Sequence, residues 1–142
     1  MRALLDVNVL IALHDHDHVH HERASEWFAG HTDQGWASCP LTQNGCLRIM
    51  SQPGYPGPQP LAVLLEMLRR STSTRFHEFW NDDASILDAQ RFHHARMHSH
   101  RQITDLYLLA LAVKNGGRLA SFDVHIPLTA VHGASQAHLV TL

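Results

Sequence analysis

Three aspartates, each set in an otherwise apolar stretch, are the residues of this chain best suited to chemistry. Asp6 interrupts the apolar run Leu4–Leu13, Asp105 follows Ile103 and Thr104, and Asp123 ends the stretch Leu119–Phe122. A buried apolar strand needs no acid, and burying an unpaired carboxylate costs several kcal/mol. We therefore predict that the three carboxylates converge on one site and that a metal ion compensates their charge.

Carboxylate oxygens of this kind suit Mg²⁺ or Mn²⁺ and not zinc. Mg²⁺ keeps several of its waters and takes only one or two carboxylates directly, so three aspartates leave room for a phosphate oxygen. Such an ion polarises a phosphodiester and lowers the pKa of an attacking water. Each polar residue also has a purely structural interpretation: Asp105 as a helix N-terminal acid, Asp123 as a turn residue and Asn8 as a helix cap.

Short apolar strands alternate with helices along the chain, and these elements must position the acids. Strands are predicted at residues 3–7, 36–39, 76–80, 118–122 and 138–142. Helices are predicted from about Asn8, over 18–29 with Gly30 closing the helix, from an N-cap at Thr42 to Met50, and over 61–70, 89–95 and 102–115. This order predicts an α/β fold with a mainly parallel sheet, in which ligands bind at the carboxyl ends of the strands.

Histidine is unusually frequent, with 14 residues, many of them between His14 and His21. His16 and His20 have the i, i+4 spacing that chelates a transition metal on a helix. The alternative interpretation is a polar, solvated loop that leads into a helix. Both interpretations remain open from the sequence.

Length and composition narrow the class of protein. The chain has 142 residues, which predicts a single domain over 1–142, and a formal net charge of −2, which argues against a protein that coats nucleic acid. Cys39 and Cys46 form no Cys-x-x-Cys pair, so we expect buried free thiols and a reducing cytoplasm. No run of apolar residues approaches the length of a membrane span.

The order of these motifs resembles PIN-domain proteins, and more narrowly the VapC-type toxins of bacterial toxin–antitoxin pairs. The resemblance rests on Leu-Leu-Asp6-Val-Asn8, on Thr104-Asp105-Leu-Tyr-Leu-Leu-Ala, and on Leu-Ala-Ser-Phe-Asp123. The stretch Trp36-Ala-Ser-Cys-Pro-Leu-Thr-Gln-Asn-Gly and the stretch Phe79-Trp-Asn-Asp-Asp also resemble one subgroup of these toxins. The similarity therefore runs in order over nearly the whole chain.

The resemblance implies a compact three-layer α/β/α sandwich and an Mg²⁺- or Mn²⁺-dependent endoribonuclease that hydrolyses RNA with a metal-activated water. It also implies a homodimer that is neutralised by a cognate VapB-type antitoxin. Carried over by position, Asp6, Asp105 and Asp123 are the catalytic and metal-binding carboxylates, with Asn8 and Thr104 in support.

The chain departs from the PIN pattern at one place. PIN nucleases usually carry another acid, typically glutamate, early in the helix after the second strand, whereas Thr42-Gln43-Asn44-Gly45-Cys46 contains none. We expect Gln43 to occupy that place, where it supplies a neutral oxygen or holds a water. A second metal ion would be poorly held, which favours one tightly bound ion or weak metal affinity in the free protein. Arg48, on the same helix, is the best candidate for a phosphate or active-site contact.

Two alternatives follow from these features. The missing acid allows a catalytically impaired PIN-like module that mainly binds a partner or nucleic acid. The histidine tract allows a transition-metal sensor that depends on His16 and His20.

Overall fold

Five short strands form the parallel sheet that positions the site. The computed structural model describes residues 1–142. The strands are β1 (Ala3–Leu5), β2 (Trp36–Ser38), β3 (His77–Phe79), β4 (Arg118–Ser121) and β5 (Leu139–Thr141). They lie in the order β3-β2-β1-β4-β5, with Leu4 of β1 opposite Ala37 of β2 and Leu119 of β4.

The position of β1 in this order marks one edge of the sheet as a candidate ligand-binding site. The chain places β2 and β3 on one side of β1 and then β4 and β5 on the other. The direction of winding therefore changes between β1 and β4. In open parallel sheets, ligands bind outside the carboxyl ends of the strands at such a point.

Five helices cover the sheet. They are α1 (Val7–His14), α2 (His21–His31), α3 (Pro40–Met50), α4 (Leu61–Thr72) and α5 (Ile103–Lys114), with 3₁₀ turns in the connections. No helix combines the length and the apolar character that crossing a membrane would require.

The core consists of two apolar clusters, one on each face of the sheet. Leu4 and Leu119 pack against α5 residues such as Leu109, whereas Leu5 points to the opposite face and packs with α1 residues such as Leu10. This alternation follows from the period of two in a strand. Helices α1 to α4 form one outer layer and α5 the other, which confirms the predicted three-layer α/β/α sandwich.

Most predicted elements are present, with ends that differ by a few residues. The first strand ends at Leu5, because Asp6 is already the N-cap of α1. Helix α3 begins at Pro40 with Cys39 as its N-cap, and Thr42 lies at N3, where its hydroxyl oxygen accepts the Cys39 N–H at 3.0 Å. Proline is well suited to the first position of a helix because it lacks the N–H that would be unpaired there.

Two helix predictions are wrong in detail. Gly30 does not close α2, which continues to His31. The helix predicted over 89–95 is absent, and only a single 3₁₀ turn, His94–Arg96, forms nearby. Backbone groups of this segment bond elsewhere, because the His93 N–H donates to Ala130 O and Arg91 O accepts the His132 N–H.

Both cysteines are buried free thiols, as predicted. Burial raises the pKa of Cys39 to about 11 and the pKa of Cys46 to about 12. Since the thiolate is the reactive form, both side chains are chemically inert at neutral pH.

Position 117 has room for glycine only, because any larger side chain would clash with its neighbours. A Cβ atom there would lie 2.6 Å from the Arg2 carbonyl oxygen and 2.7 Å from the Trp80 ring, whereas a Cβ at Gly30 would meet nothing within 4 Å. We expect Gly117→Ala to lower the free energy of unfolding by about 1–3 kcal/mol, since the core must shift to admit the methyl group.

Gly30→Ala is the matched control. It adds the same methyl group within α2, and we expect it to raise the free energy of unfolding by roughly 0.5–1 kcal/mol. Urea unfolding of both variants measures the difference, and equal stabilities would contradict the tight contact at Gly117.

Candidate active site

Asp6 lies at the junction of β1 and α1 and is 6% exposed. Its Oδ1 atom accepts the Val7 N–H at 2.7 Å, and its Oδ2 atom accepts the Ser121 hydroxyl at 3.0 Å. Burial raises the pKa of Asp6, although these two hydrogen bonds favour the charged form. The side chain therefore acts as a helix cap, and both of its carboxylate oxygens are held in place.

Asp105 lies in the first turn of α5, where it is half-buried. Burial is the main reason that its pKa is raised to about 7, and the nearby carboxylates of Asp6 and Asp123 act in the same direction. None of the ion pairs of the chain involves these three acids. The protein thus brings the carboxylates together and supplies no cation to pair with them.

Asp123 follows the end of β4 and is linked to Asp6 through Ser121. The Asp123 N–H donates to Ser121 Oγ at 3.0 Å, and Asp123 Oδ1 accepts the His125 N–H at 2.8 Å. Ser121 is fully buried. The sequence analysis missed Ser121, although a hydroxyl in an apolar strand, two residues before the candidate acid Asp123, was a usable signal.

The three aspartates line one cavity of about 570 Å³ at the carboxyl edge of the sheet. Three of the predicted supporting residues line it as well, namely Asn8, Arg48 and Thr104. Six of the seven candidate site residues are therefore brought together by strands and helices that are distant in sequence.

Gln43 is the exception. It does not line the cavity, and its Nε2 atom instead donates to Ser38 Oγ of β2 at 2.9 Å. The next residue, Asn44, lines the cavity in its place. Successive residues of an α-helix point about 100° apart, so a one-residue difference decides which face a side chain reaches.

Close packing restricts position 45 of α3. Gly45 lines the cavity, and a Cβ atom there would lie 2.8 Å from a methyl group of Val7 on α1. Helix α3 therefore comes so close to α1 that position 45 admits no side chain unless Val7 moves. Asn44 supplies the only amide that α3 presents to the cavity.

The donor set fits a hard divalent cation held mainly through water. As the side chains stand, no three His, Cys, Asp or Glu residues form a set that could hold a metal ion directly. However, Mg²⁺ characteristically uses one or two carboxylates and retains waters. Asp6 lies close enough to Asp105 for its charge to raise the Asp105 pKa, and a cation between the two carboxylates would remove that repulsion.

The histidine tract does not have the geometry of a helical chelate. Residues 15–20 form turns and α2 begins only at His21, so His16 and His20 are not on one helix face. The His16 ring packs 4.6 Å from the His21 ring, and the His20 ring packs 4.7 Å from Phe122. The tract is a loop that leads into a helix, in line with the alternative interpretation.

The raised pKa of Asp105 makes the stability of the metal-free protein depend on pH. From its usual value of 3.8 up to about 7, the folded protein holds a proton that the unfolded chain has released. The free energy of unfolding therefore falls as the pH rises across this window. We expect Asp105→Asn to stabilise the protein more at roughly pH 8 than at roughly pH 5.

Urea unfolding in the presence of a chelator measures this difference at the two pH values. The matched control is Asp33→Asn, which removes an exposed acid from the 3₁₀ turn after α2. An Asp105→Asn variant whose stability differs from wild type by the same amount at both pH values would contradict the raised pKa.

Comparison with known proteins places this chain in a family. The PIN-domain family model matches residues 3–131. Ribonuclease VapC44 of Mycobacterium tuberculosis is 56% identical over 142 residues, which cover 100% of both chains. Ribonuclease VapC39 of the same organism is 40% identical over 134 residues, covering 94% of this chain and 96% of the relative. The chain belongs to the PIN-domain family and, within it, to the group of VapC ribonucleases.

Proposed function

We propose that the protein is an Mg²⁺- or Mn²⁺-dependent endoribonuclease of a VapBC-type toxin–antitoxin module. One observation carries this proposal: three carboxylates from three separate elements line one cavity and have no protein cation paired with them. The relatives named ribonuclease support the reaction class, since they align over nearly the full chain.

Asp6 and Asp105 would hold the ion, with Asp123 beside them. When bound, the ion would polarise the scissile phosphodiester and favour attack by water. With no acid on α3, we propose a single ion.

The chain's own residues prepare the site for that reaction. Ser121 and the Val7 N–H fix both oxygens of Asp6, so this carboxylate needs little reorganisation when a cation enters. Arg48 lines the cavity from α3 and would contact a phosphate oxygen of the RNA. Asn8 and Thr104 offer an amide and a hydroxyl for orienting a water or a phosphate oxygen.

The RNA would enter as a single strand or a loop. The sequence shows no duplex-reading element, and sequence-selective RNA recognition usually targets unpaired nucleotides. We propose that cleavage takes place in the cytoplasm, where cellular RNA is accessible to such an enzyme.

A VapB-type antitoxin and a second copy of the chain are the proposed protein partners. Helix α4 buries Leu64 and Leu68 but exposes Leu61, Val63 and Leu65. Of the four leucines of α4, only two therefore lie in the core. An apolar helix of the antitoxin would cover the exposed half.

A second candidate function is a PIN module that binds RNA or a partner without cleaving it. The absence of an acid on α3 favours this alternative. Calorimetric titration with Mn²⁺ separates the two. Under our proposal the wild-type protein binds the ion, and Asp105→Asn weakens binding by about tenfold or more, since one ligand is lost. No binding at millimolar ion would favour the second candidate.

Replacing Asp6 tests the endoribonuclease itself. We expect Asp6→Asn to lower RNA cleavage by about 100-fold or more, since a metal ion's charge stabilisation is worth several kcal/mol. The amide can still accept the Val7 N–H, so the fold should persist. Cleavage of a labelled RNA in the presence of Mg²⁺ or Mn²⁺ measures the effect, with circular dichroism as the check of folding.

Asp33→Asn is the matched control, because it removes one exposed carboxylate that does not line the cavity. It should cleave RNA at the wild-type rate. Full activity in folded Asp6→Asn would contradict the proposed function.

A further inference from the structure

The segment of residues 90–102, which we call the basic segment, has a composition unlike the rest of the chain. It contains three arginines and four histidines but no acid, in a protein whose formal net charge is −2. Nothing in the carboxylate site accounts for this concentration of basic groups. Most of their side chains are exposed.

The basic segment is fixed against the body of the protein. Phe92 is buried and forms an antiparallel bridge with Val131. The His93 N–H donates to Ala130 O at 2.9 Å, and the His94 ring bonds to Ile86 O at 2.8 Å. The charged side chains are therefore presented from an ordered backbone, so less entropy is lost on binding a ligand than with a flexible tail.

The basic segment leads directly into the carboxylate site. Its last turn, His100–Gln102, continues into α5 without a break, and Ser99 caps this turn by accepting the Arg101 N–H at 3.2 Å. Arg101 precedes Asp105 by four residues, which is about one helical turn. These two side chains form no ion pair.

Two guanidinium groups of the basic segment have no acidic partner. Arg96 and Arg101 are exposed and take part in none of the ion pairs, whereas Arg91 pairs weakly with Asp88 at 3.9 Å. Arg69 and Arg70 on α4 show the contrasting case, because both pair with Glu66. Arg96 and Arg101 are thus free to meet an anion.

We infer that the basic segment binds the sugar–phosphate backbone of an RNA strand that extends from the carboxylate cavity. Cations distributed along one segment of the chain match a polyanion with regularly spaced charges, whereas a single phosphate would need them to converge. The inference rests on the proposed function for the statement that this RNA is also the substrate. Arg48 would contact the strand inside the cavity, and Arg96 and Arg101 would contact it outside.

The test measures RNA binding separately from cleavage. The wild-type protein and the double variant Arg96→Ala/Arg101→Ala are titrated, in a chelator, into a labelled single-stranded RNA of about 12 nucleotides. Each lost phosphate contact lowers the slope of log K against log salt by about 0.7. We expect a slope smaller by about 1.4 and binding about 25-fold weaker near 0.1 M salt.

Arg69→Ala/Arg70→Ala is the matched control, because it removes the same charge from residues that already have a partner. It should bind RNA with nearly the wild-type slope. Equal slopes for wild type and Arg96→Ala/Arg101→Ala would overturn the inference. So would a variant that keeps its RNA affinity but loses binding to polyglutamate, which would indicate an acidic protein partner.

The salt-dependence experiment can fail or succeed separately from the proposed function. If the wild-type protein cleaves no RNA with Mg²⁺ or Mn²⁺, yet the double variant binds RNA more weakly, the proposed function fails and the inference stands. If cleavage is normal and the slopes are equal, the inference alone fails.

Discussion

The rest of the site depends on the way Asp6 is held between β1 and α1. All of its polar groups are engaged: the N–H donates to Ala120 O, the carbonyl oxygen accepts the Leu10 N–H, and the two carboxylate oxygens accept from Val7 and Ser121. The same residue therefore ends the central strand, begins the first helix and ties both to β4. Through Ser121 this arrangement also sets the position of Asp123.

Holding three acids together without a cation works against folding. The raised pKa values of Asp6 and Asp105 show that the charged forms are disfavoured in the free protein. Two apolar clusters, one on each side of the sheet, supply the compensating stability. Such strain at a site is typical of proteins whose binding groups are arranged for a ligand and not for the stability of the free chain.

The sequence was sufficient for features tied to strand ends and insufficient for those that depend on rotation or long-range pairing. The convergence of Asp6, Asp105 and Asp123 on one cavity was predictable, because an isolated acid in an apolar frame is costly to bury unless a ligand compensates its charge. Gln43 was placed wrongly, since a shift of one residue turns a helical side chain to another face. The helix over 89–95 was wrong because its backbone pairs with residues far along the chain, which local pattern does not reveal.

The contact between Gly45 and Val7 links two positions that lie far apart in the sequence. Introducing a glutamate at position 45 alone would force its Cβ atom against the Val7 methyl group. Trimming Val7 alone would leave a gap between α1 and α3. A fourth carboxylate at position 45 is therefore accessible only when Val7 changes as well, so the two positions are expected to be strongly non-additive. In evolutionary terms, close packing of two helices has made position 45 difficult to convert to an acid by a single substitution.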